Sequence, residues 1–190
     1  MRALAVLPAL LLAVSLAVGA NALPSEQIAL KGAAHQARAL GPDTADYVRN
    51  AAIGNFYGIA AAKIAQAKAH SYGVRRYALM VLADNSAMEQ AFATALQSDA
   101  ITPPETLDPA HTILIRQLND SAGPGFDRDY MQDEVRAQQS ALNLETSYAL
   151  SGRDASMRSF ARELATKIRL HLALAQRVLR EQNQKTASTL

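Results

Sequence analysis

Apolar and small residues recur at helical spacing in four long stretches of this sequence. In the second stretch they are separated alternately by four and three residues, which places them on one face of a helix. The positions of this seam are Val74, Ala78, Val81, Asn85, Met88, Phe92 and Ala95. No stretch alternates with the period of two that a half-buried strand requires. The pattern therefore predicts an all-α protein.

The other long stretches have seams of the same kind. The first begins near Ala45, where Asp43 or Thr44 can cap a helix, and its small residues form one face: Ala51, Gly54, Gly58, Ala61 and Ala65. The third seam is Met131, Val135, Gln138, Leu142, Glu145 and Ala149, and the fourth is Met157, Ala161, Leu164, Ile168, His171, Ala175 and Val178. A face of small residues lets a neighbouring helix approach closely, or leaves a void beside it.

The connections between these stretches differ in length. Short breaks at residues 70–73 and 151–152 join the first stretch to the second and the third to the fourth. The second and third are separated by a longer segment, in which prolines between residues 103 and 109 interrupt any helix and a short helix is predicted over 111–119. Two tight hairpins joined by one long crossover are typical of ferritin-like four-helix bundles.

The N-terminal segment is predicted to be a targeting signal. A basic residue is followed by an apolar run and by a small-x-small cleavage site, Ala20-Asn21-Ala22, which predicts a signal peptide over residues 1–22. An uncleaved membrane anchor is disfavoured, because the run is short for a bilayer span and contains a proline. We predict a flexible leader over 23–42, the bundle over 43–183 and a polar tail over 184–190, with no transmembrane span after cleavage. The protein is therefore expected to be exported, and to be periplasmic or associated with the outer membrane.

Composition narrows the possible chemistry. The chain of 190 residues contains no cysteine, which excludes disulfides, thiolate metal sites and thiol catalysis. Its 19 basic and 17 acidic side chains nearly balance, and without a dense basic patch we expect no nucleic-acid partner. The expected partners are an envelope protein, a small ligand, or a second copy of the chain in a homodimer.

Short motifs carry a resemblance to a known family. The string from Phe126 to Met131, Asp84-Asn85, and His171-Leu172 followed by Ala175 resemble a bacterial exported family catalogued as domain of unknown function 4142, whose members are ferritin-like bundles often labelled outer membrane proteins. The resemblance covers about residues 44–179. It implies a metal-donor set that this chain largely lacks. Typical members have Glu at the position of Gly58, His at that of Asn85 and His at that of Gln138, and only His171 keeps the family residue.

Five seam residues are candidates for a site in the middle of the bundle: Gly58, Asn85, Gln138 and His171, with Glu145 two turns further along. They could form a polar pocket for a small ligand or a weakly held divalent metal, for which His171 is the candidate donor. They could instead form a hydrogen-bonded layer that fixes helix register, with a His171 ring N–H donated to Gln138, Asn85 or a backbone carbonyl. The second interpretation is favoured.

The chemistry of the donors decides what function the sequence favours. Ferritin-like metal centres need inward carboxylates and Glu-x-x-His pairs, and this chain contains no Glu-x-x-His. We therefore expect no resident metal or cofactor, and the sequence favours a non-catalytic binding or structural module. The alternative is a storage protein or oxidoreductase that holds iron, manganese or zinc at the same central site.

Overall fold

The four seams and the predicted short helix form five α-helices in the described part of the chain. A computed structural model describes residues 41–96 and 101–187, and no strand occurs within them. The helices are α1 (Gly41–Lys68), α2 (Tyr72–Ala95), α3 (Pro109–Asp120), α4 (Phe126–Ser151) and α5 (Ala155–Ala187). The predicted signal peptide, most of the predicted leader and the last residues of the predicted tail lie outside the described residues. No helix in the described part of the chain is long and apolar enough to cross a membrane.

The helix ends follow local chemistry. Asp154 caps α5, since its carboxylate accepts the backbone N–H of Met157 at 2.7 Å. Asp108 caps α3 in the same way. The predicted start of α1 near Ala45 is wrong by four residues: Thr44 lies inside the helix, and its hydroxyl forms a buried hydrogen bond with that of Tyr148 at 2.8 Å. Helix α5 also continues past residue 183, into the predicted tail.

The four long helices pack as two hairpins. Helices α1 and α2 form one and α4 and α5 form the other, while α1 also lies against α4 and α2 against α5. Thr44, near the start of α1, contacts Tyr148, near the end of α4. Phe92, near the end of α2, stacks on Phe160, near the start of α5. Helices from different hairpins are therefore antiparallel neighbours, and the short α3 packs on α1 and α4.

The apolar core is divided between two clusters of buried side chains. One contains Tyr77 and Met131 and lies where α1 ends and α4 begins. The other contains Val48 and Met157 and lies where α1 and α5 begin. Most buried polar side chains of the long helices fall between the clusters, at Asn55, Glu134, Gln138, Glu145 and His171. The middle of the molecule is therefore polar.

Candidate functional site

A cavity of about 500 Å³ occupies this polar middle section. Ala51, Gly54 and Gly58 of α1 line it, and a Cβ added at Gly54 would meet no atom within 4 Å. The void predicted beside the small-residue face is thus confirmed along this part of α1. Ala61 and Ala65, further along the same face, are instead packed in the core. Residues of α2, α3, α4 and α5 complete the wall.

Glu145 lies at one end of the cavity wall and is only 2% exposed. The Tyr47 hydroxyl donates to its Oε2 at 2.7 Å, and the Tyr47 ring stacks on Tyr148 with centroids 3.9 Å apart. Burial raises the pKa of Glu145 to about 7, although the Tyr47 hydrogen bond opposes the shift. Near neutral pH this carboxyl therefore exists in both protonation states.

Glu134 lies at the other end, 1% exposed, and has the same kind of partner. The Tyr77 hydroxyl donates to its Oε2 at 3.0 Å, and the Gln138 amide donates to that oxygen at 3.4 Å. Burial raises the pKa of Glu134 to about 7 against these hydrogen bonds. Neither Glu134 nor Glu145 forms an ion pair with a described residue.

Two buried polar atoms lack a hydrogen-bond partner within the described ranges: the side-chain carbonyl oxygen of Asn55 and the hydroxyl of Tyr130. Asn55 is 6% exposed and lines the cavity from α1. The Tyr130 hydroxyl has a weak contact with Glu134 that falls short of full hydrogen-bond geometry, and Tyr130 does not line the cavity. An unsatisfied buried group costs about 1–3 kcal/mol. The cavity wall therefore keeps hydrogen-bonding capacity that the protein itself does not use.

Four of the five predicted site residues lie together. Gly58, Asn85, Gln138 and Glu145 all line the cavity. The Asn85 amide fills the space that a Cβ at Gly58 would need, so a larger residue at position 58 would displace it. His171 is buried but does not line the cavity.

His171 is instead part of a polar contact between α2 and α5. Its Nε2 lies 2.8 Å from Oδ2 of Asp84, and Lys167 donates to Oδ1 of the same carboxylate at 3.1 Å. The predicted hydrogen bond from a His171 ring N–H to Gln138, Asn85 or a backbone carbonyl is wrong, because Nε2 pairs with Asp84 instead. Burial works to raise the pKa of Asp84, but the hydrogen bonds from His171 and Lys167 outweigh it and hold that pKa below its usual range.

The rim of the cavity is charged. Asp108 bonds both the ring Nδ1 of His111, at 2.8 Å, and the backbone N–H of the same residue. Arg136 forms an ion pair with Asp133. Burial raises the pKa of Asp133, and Arg136 opposes this shift. The carboxylates along the wall and rim are Asp108, Asp133, Glu134 and Glu145, whereas Arg136 is the one lysine or arginine there. The site is therefore suited to cations rather than anions.

The residues of this site do not fit a ferritin-like metal centre. No group of three or more His, Asp or Glu side chains in the described part of the chain could hold a metal ion. Glu134 and Glu145 are eleven residues apart on one helix, a rise of about 16 Å, and cannot share an ion. His171 is paired with Asp84, away from both carboxyls.

Sequence reasoning left Glu134, Asn55 and the tyrosine partners out of the site. Asn55 follows Ala51 by four residues and so shares its face, which is a signal that the sequence did contain. Glu134 precedes Gln138 by four residues in the same way. Tyr47 forms a hydrogen bond with Glu145, which lies 98 positions away along the chain, and Tyr77 forms one with Glu134, which lies 57 positions away. No local sequence pattern indicates such pairings.

The fold and the site define an all-α protein of two packed helical hairpins with a polar cavity in its middle. The chain belongs to the DUF4142 family, since the model described as Domain of unknown function (DUF4142) matches residues 29–178. This match confirms the resemblance predicted from the sequence motifs. No curated protein matches the chain.

Two solved structures resemble this fold. A DUF305 fragment from Deinococcus radiodurans superimposes with a TM-score of 0.65 at 15% identity, covering 74% of this chain and 97% of its own. A protein from Streptomyces coelicolor named as a secreted DUF305 protein gives 0.62 at 14% identity, covering 74% and 92%. At these identities the likeness shows the fold alone.

Proposed function

We propose that this protein is an exported, non-catalytic binding module that takes a small organic ligand into its central cavity. The observation that carries the proposal is the cavity itself, whose wall holds the unpartnered side-chain carbonyl of Asn55 and two buried carboxyls. Its volume falls within the range of about 300–1,000 Å³ of small-molecule sites. A ligand with hydrogen-bond donors would satisfy the Asn55 carbonyl and the buried carboxyls together.

The rival interpretation is a layer that serves only to fix helix register. Such a layer would bring its polar groups into contact with one another, because buried polar groups need partners. Here Asn85 contacts Gly58 and Gln138 contacts Glu134, but the carbonyl of Asn55 has no partner although it is buried. A ligand accounts for this acceptor, whereas a register-fixing layer does not.

The finer fold assignment belongs to the same proposal. Antiparallel neighbours, with two hairpins joined by a crossover that contains α3, support a ferritin-like four-helix bundle. Export is supported by the N-terminal sequence pattern and by the secreted designation of the Streptomyces coelicolor protein. We place the protein in the periplasm or at the outer membrane, without a resident metal or cofactor, and with a small ligand or an envelope protein as partner.

Native mass spectrometry of the protein isolated from its own cell envelope tests this proposal. We expect a chain that begins at Leu23 and carries a non-covalent organic adduct, with no iron, manganese or zinc. The matched variants are Gly54→Leu, which fills the open space beside Gly54, and Ala87→Leu, which adds the same side chain at an exposed position of α2.

The two variants separate binding in the cavity from binding at the surface. Gly54→Leu should lose the adduct and Ala87→Leu should keep it. An adduct that survives in Gly54→Leu, or no adduct in the parent protein, contradicts binding in the cavity. One tightly held metal per chain would support the metal-binding alternative instead.

A further inference from the structure

We propose that the ligand is a linear polyamine whose two terminal ammonium groups pair with Glu134 and Glu145; this inference rests on the proposed function. Both carboxyls are buried, both line the same cavity, and neither has a cationic partner among the described residues. An unpaired buried carboxylate is unfavourable, and a buried cation that also donates hydrogen bonds offsets that cost. An occupant that stabilises both carboxyls in their ionised form would therefore bring positive charge to two separate points.

The spacing of the carboxyls sets the length of the ligand. Eleven residues along α4 correspond to a rise of about 16 Å, and side chains on one helix lean in the same direction. A hydrogen bond of about 2.8 Å at each end leaves roughly 11 Å between the two terminal nitrogens. An extended triamine with three- and four-carbon spacers has this length, whereas a four-carbon diamine is too short.

The hydroxyls of Tyr77 and Tyr47 donate to Oε2 of Glu134 and to Oε2 of Glu145, respectively. Glu145 has no other hydrogen-bond donor among the described residues, so its Oε1 can accept from the ligand. Glu134 also has Gln138 and Tyr130 beside it, and the ligand ammonium joins these neutral donors there. A primary ammonium group has three donors and no acceptor, so it matches oxygens that only accept. The tyrosines fix the carboxyls in place without neutralising them.

The wall between the two carboxyls suits a chain of methylene groups with a nitrogen in its middle. Ala51, Gly54, Ala141 and Leu144 present apolar surface along the cavity. The unpartnered carbonyl of Asn55 lies between the two ends, about one helical turn from the level of Glu134 in the antiparallel register set by the Thr44–Tyr148 and Tyr47–Glu145 contacts. A secondary ammonium group would give that acceptor its donor. The acidic residues at the rim favour entry of a polycation and disfavour anions.

Isothermal titration calorimetry of the mature chain with spermidine tests the proposal. Burial raises the pKa of both carboxyls to about 7, so both are mostly ionised at pH 8. We expect one spermidine per chain, and putrescine and butylamine at least tenfold weaker, since neither spans both carboxyls. Glu145→Gln and Glu134→Gln should each weaken spermidine binding about tenfold or more by removing one charge-assisted hydrogen bond.

The controls keep the outcomes distinct. Glu163→Gln changes an exposed acid of α5 outside the cavity and should alter spermidine affinity less than about twofold. Glutamine has the shape of glutamate and can still accept the tyrosine hydrogen bond, and if one variant fails to fold, the other variant and the amine series still decide. Equal affinity for the three amines, or spermidine binding unchanged in the variants, overturns the proposal.

Failure of this proposal can be told apart from failure of the proposed function. If spermidine does not bind but the envelope-derived adduct is lost in Gly54→Leu, the cavity binds another ligand and only the polyamine assignment is wrong. If neither spermidine nor any cavity-dependent adduct binds, both are wrong.

Discussion

Glu134 and Glu145 have similar surroundings at two levels of one helix. Each is almost fully buried, and each accepts a tyrosine hydroxyl that comes from the other hairpin. A tyrosine can donate to a carboxyl in either protonation state, so the hydrogen bond does not force ionisation. Because each carboxyl is buried without a cationic partner, burial outweighs the hydrogen bonds and raises both pKa values to about 7.

These pKa values predict how stability changes with pH. A carboxyl whose pKa is raised in the folded state binds more protons there than in the unfolded chain, so its contribution is complete below about pH 4.5 and is lost as pH rises through 7. Glutamine does not titrate, so the Glu145→Gln variant does not lose this stability as the pH rises. Urea unfolding should therefore show equal stability near pH 5 and a variant more stable than the parent by roughly 2 kcal/mol at pH 8.

Comparing variant with parent cancels the other titrating groups, including Asp84, whose lowered pKa acts in the opposite direction. Glu163→Gln provides the baseline, because this side chain is exposed. A parent–variant difference for Glu145→Gln that does not change between pH 5 and pH 8 would contradict the raised pKa.

Gly54 and Gly58 lie one turn apart on α1 but should respond differently to an added methyl group. Alanine at position 54 meets open space and gains about 1 kcal/mol from helix propensity. Alanine at position 58 collides with the Asn85 amide. Thermal melts should show Gly54→Ala more stable than the parent, and Gly58→Ala below Gly54→Ala by 1 kcal/mol or more. Equal melting temperatures would show that Asn85 moves aside without cost.

At the level of the helices, the contact of Asp84 with His171 and Lys167 joins α2 to α5. A lowered carboxyl pKa stabilises the fold above the ordinary pKa of aspartate, and this stabilisation is lost as pH falls through the lower folded value. Asp84→Asn should therefore reduce the free energy of unfolding at pH 7 by about 1 kcal/mol, because the site is partly open to solvent.

Urea titrations at pH 7 and pH 3 measure this effect, and the difference between Asp84→Asn and the parent should shrink at the lower pH. Asp46→Asn is a suitable control, since its exposed ion pair with Arg49 lies within one helix. If Asp84→Asn and Asp46→Asn cost the same at both pH values, the contact does not hold the hairpins together.

The helices also show how far the sequence patterns reach. Every residue of the predicted seam of α5, from Met157 to Val178, is buried. In α4 the seam was predicted to pass through Val135, because apolar residues were preferred, but the structure buries Glu134 and leaves Val135 only partly covered. Met131, Gln138 and Glu145 of that seam are buried as predicted, so only other positions of it are displaced by one residue, and the displacement at Val135 left Glu134 out of the expected set of cavity residues.

At the scale of the whole molecule, the two hairpins could be predicted because helix length and loop length determine them locally. The partners of the buried polar groups could not, because they depend on the rotation of each helix about its own axis. His171 meets Asp84, 87 positions away, although Asn85 is the next residue. Each cross-hairpin hydrogen bond to Glu134 or Glu145 has this long-range character.

The open space beside Gly54 has a consequence for the evolution of the chain. Glycine and alanine codons differ by a single base, and in a helix interior alanine is the more stable choice by about 1 kcal/mol. Drift would therefore readily replace this glycine with alanine, and larger side chains would follow unless selection keeps the space beside position 54 open. We expect homologues that retain the ligand to keep glycine or alanine at position 54, and homologues that have lost it to fill the space with leucine or methionine.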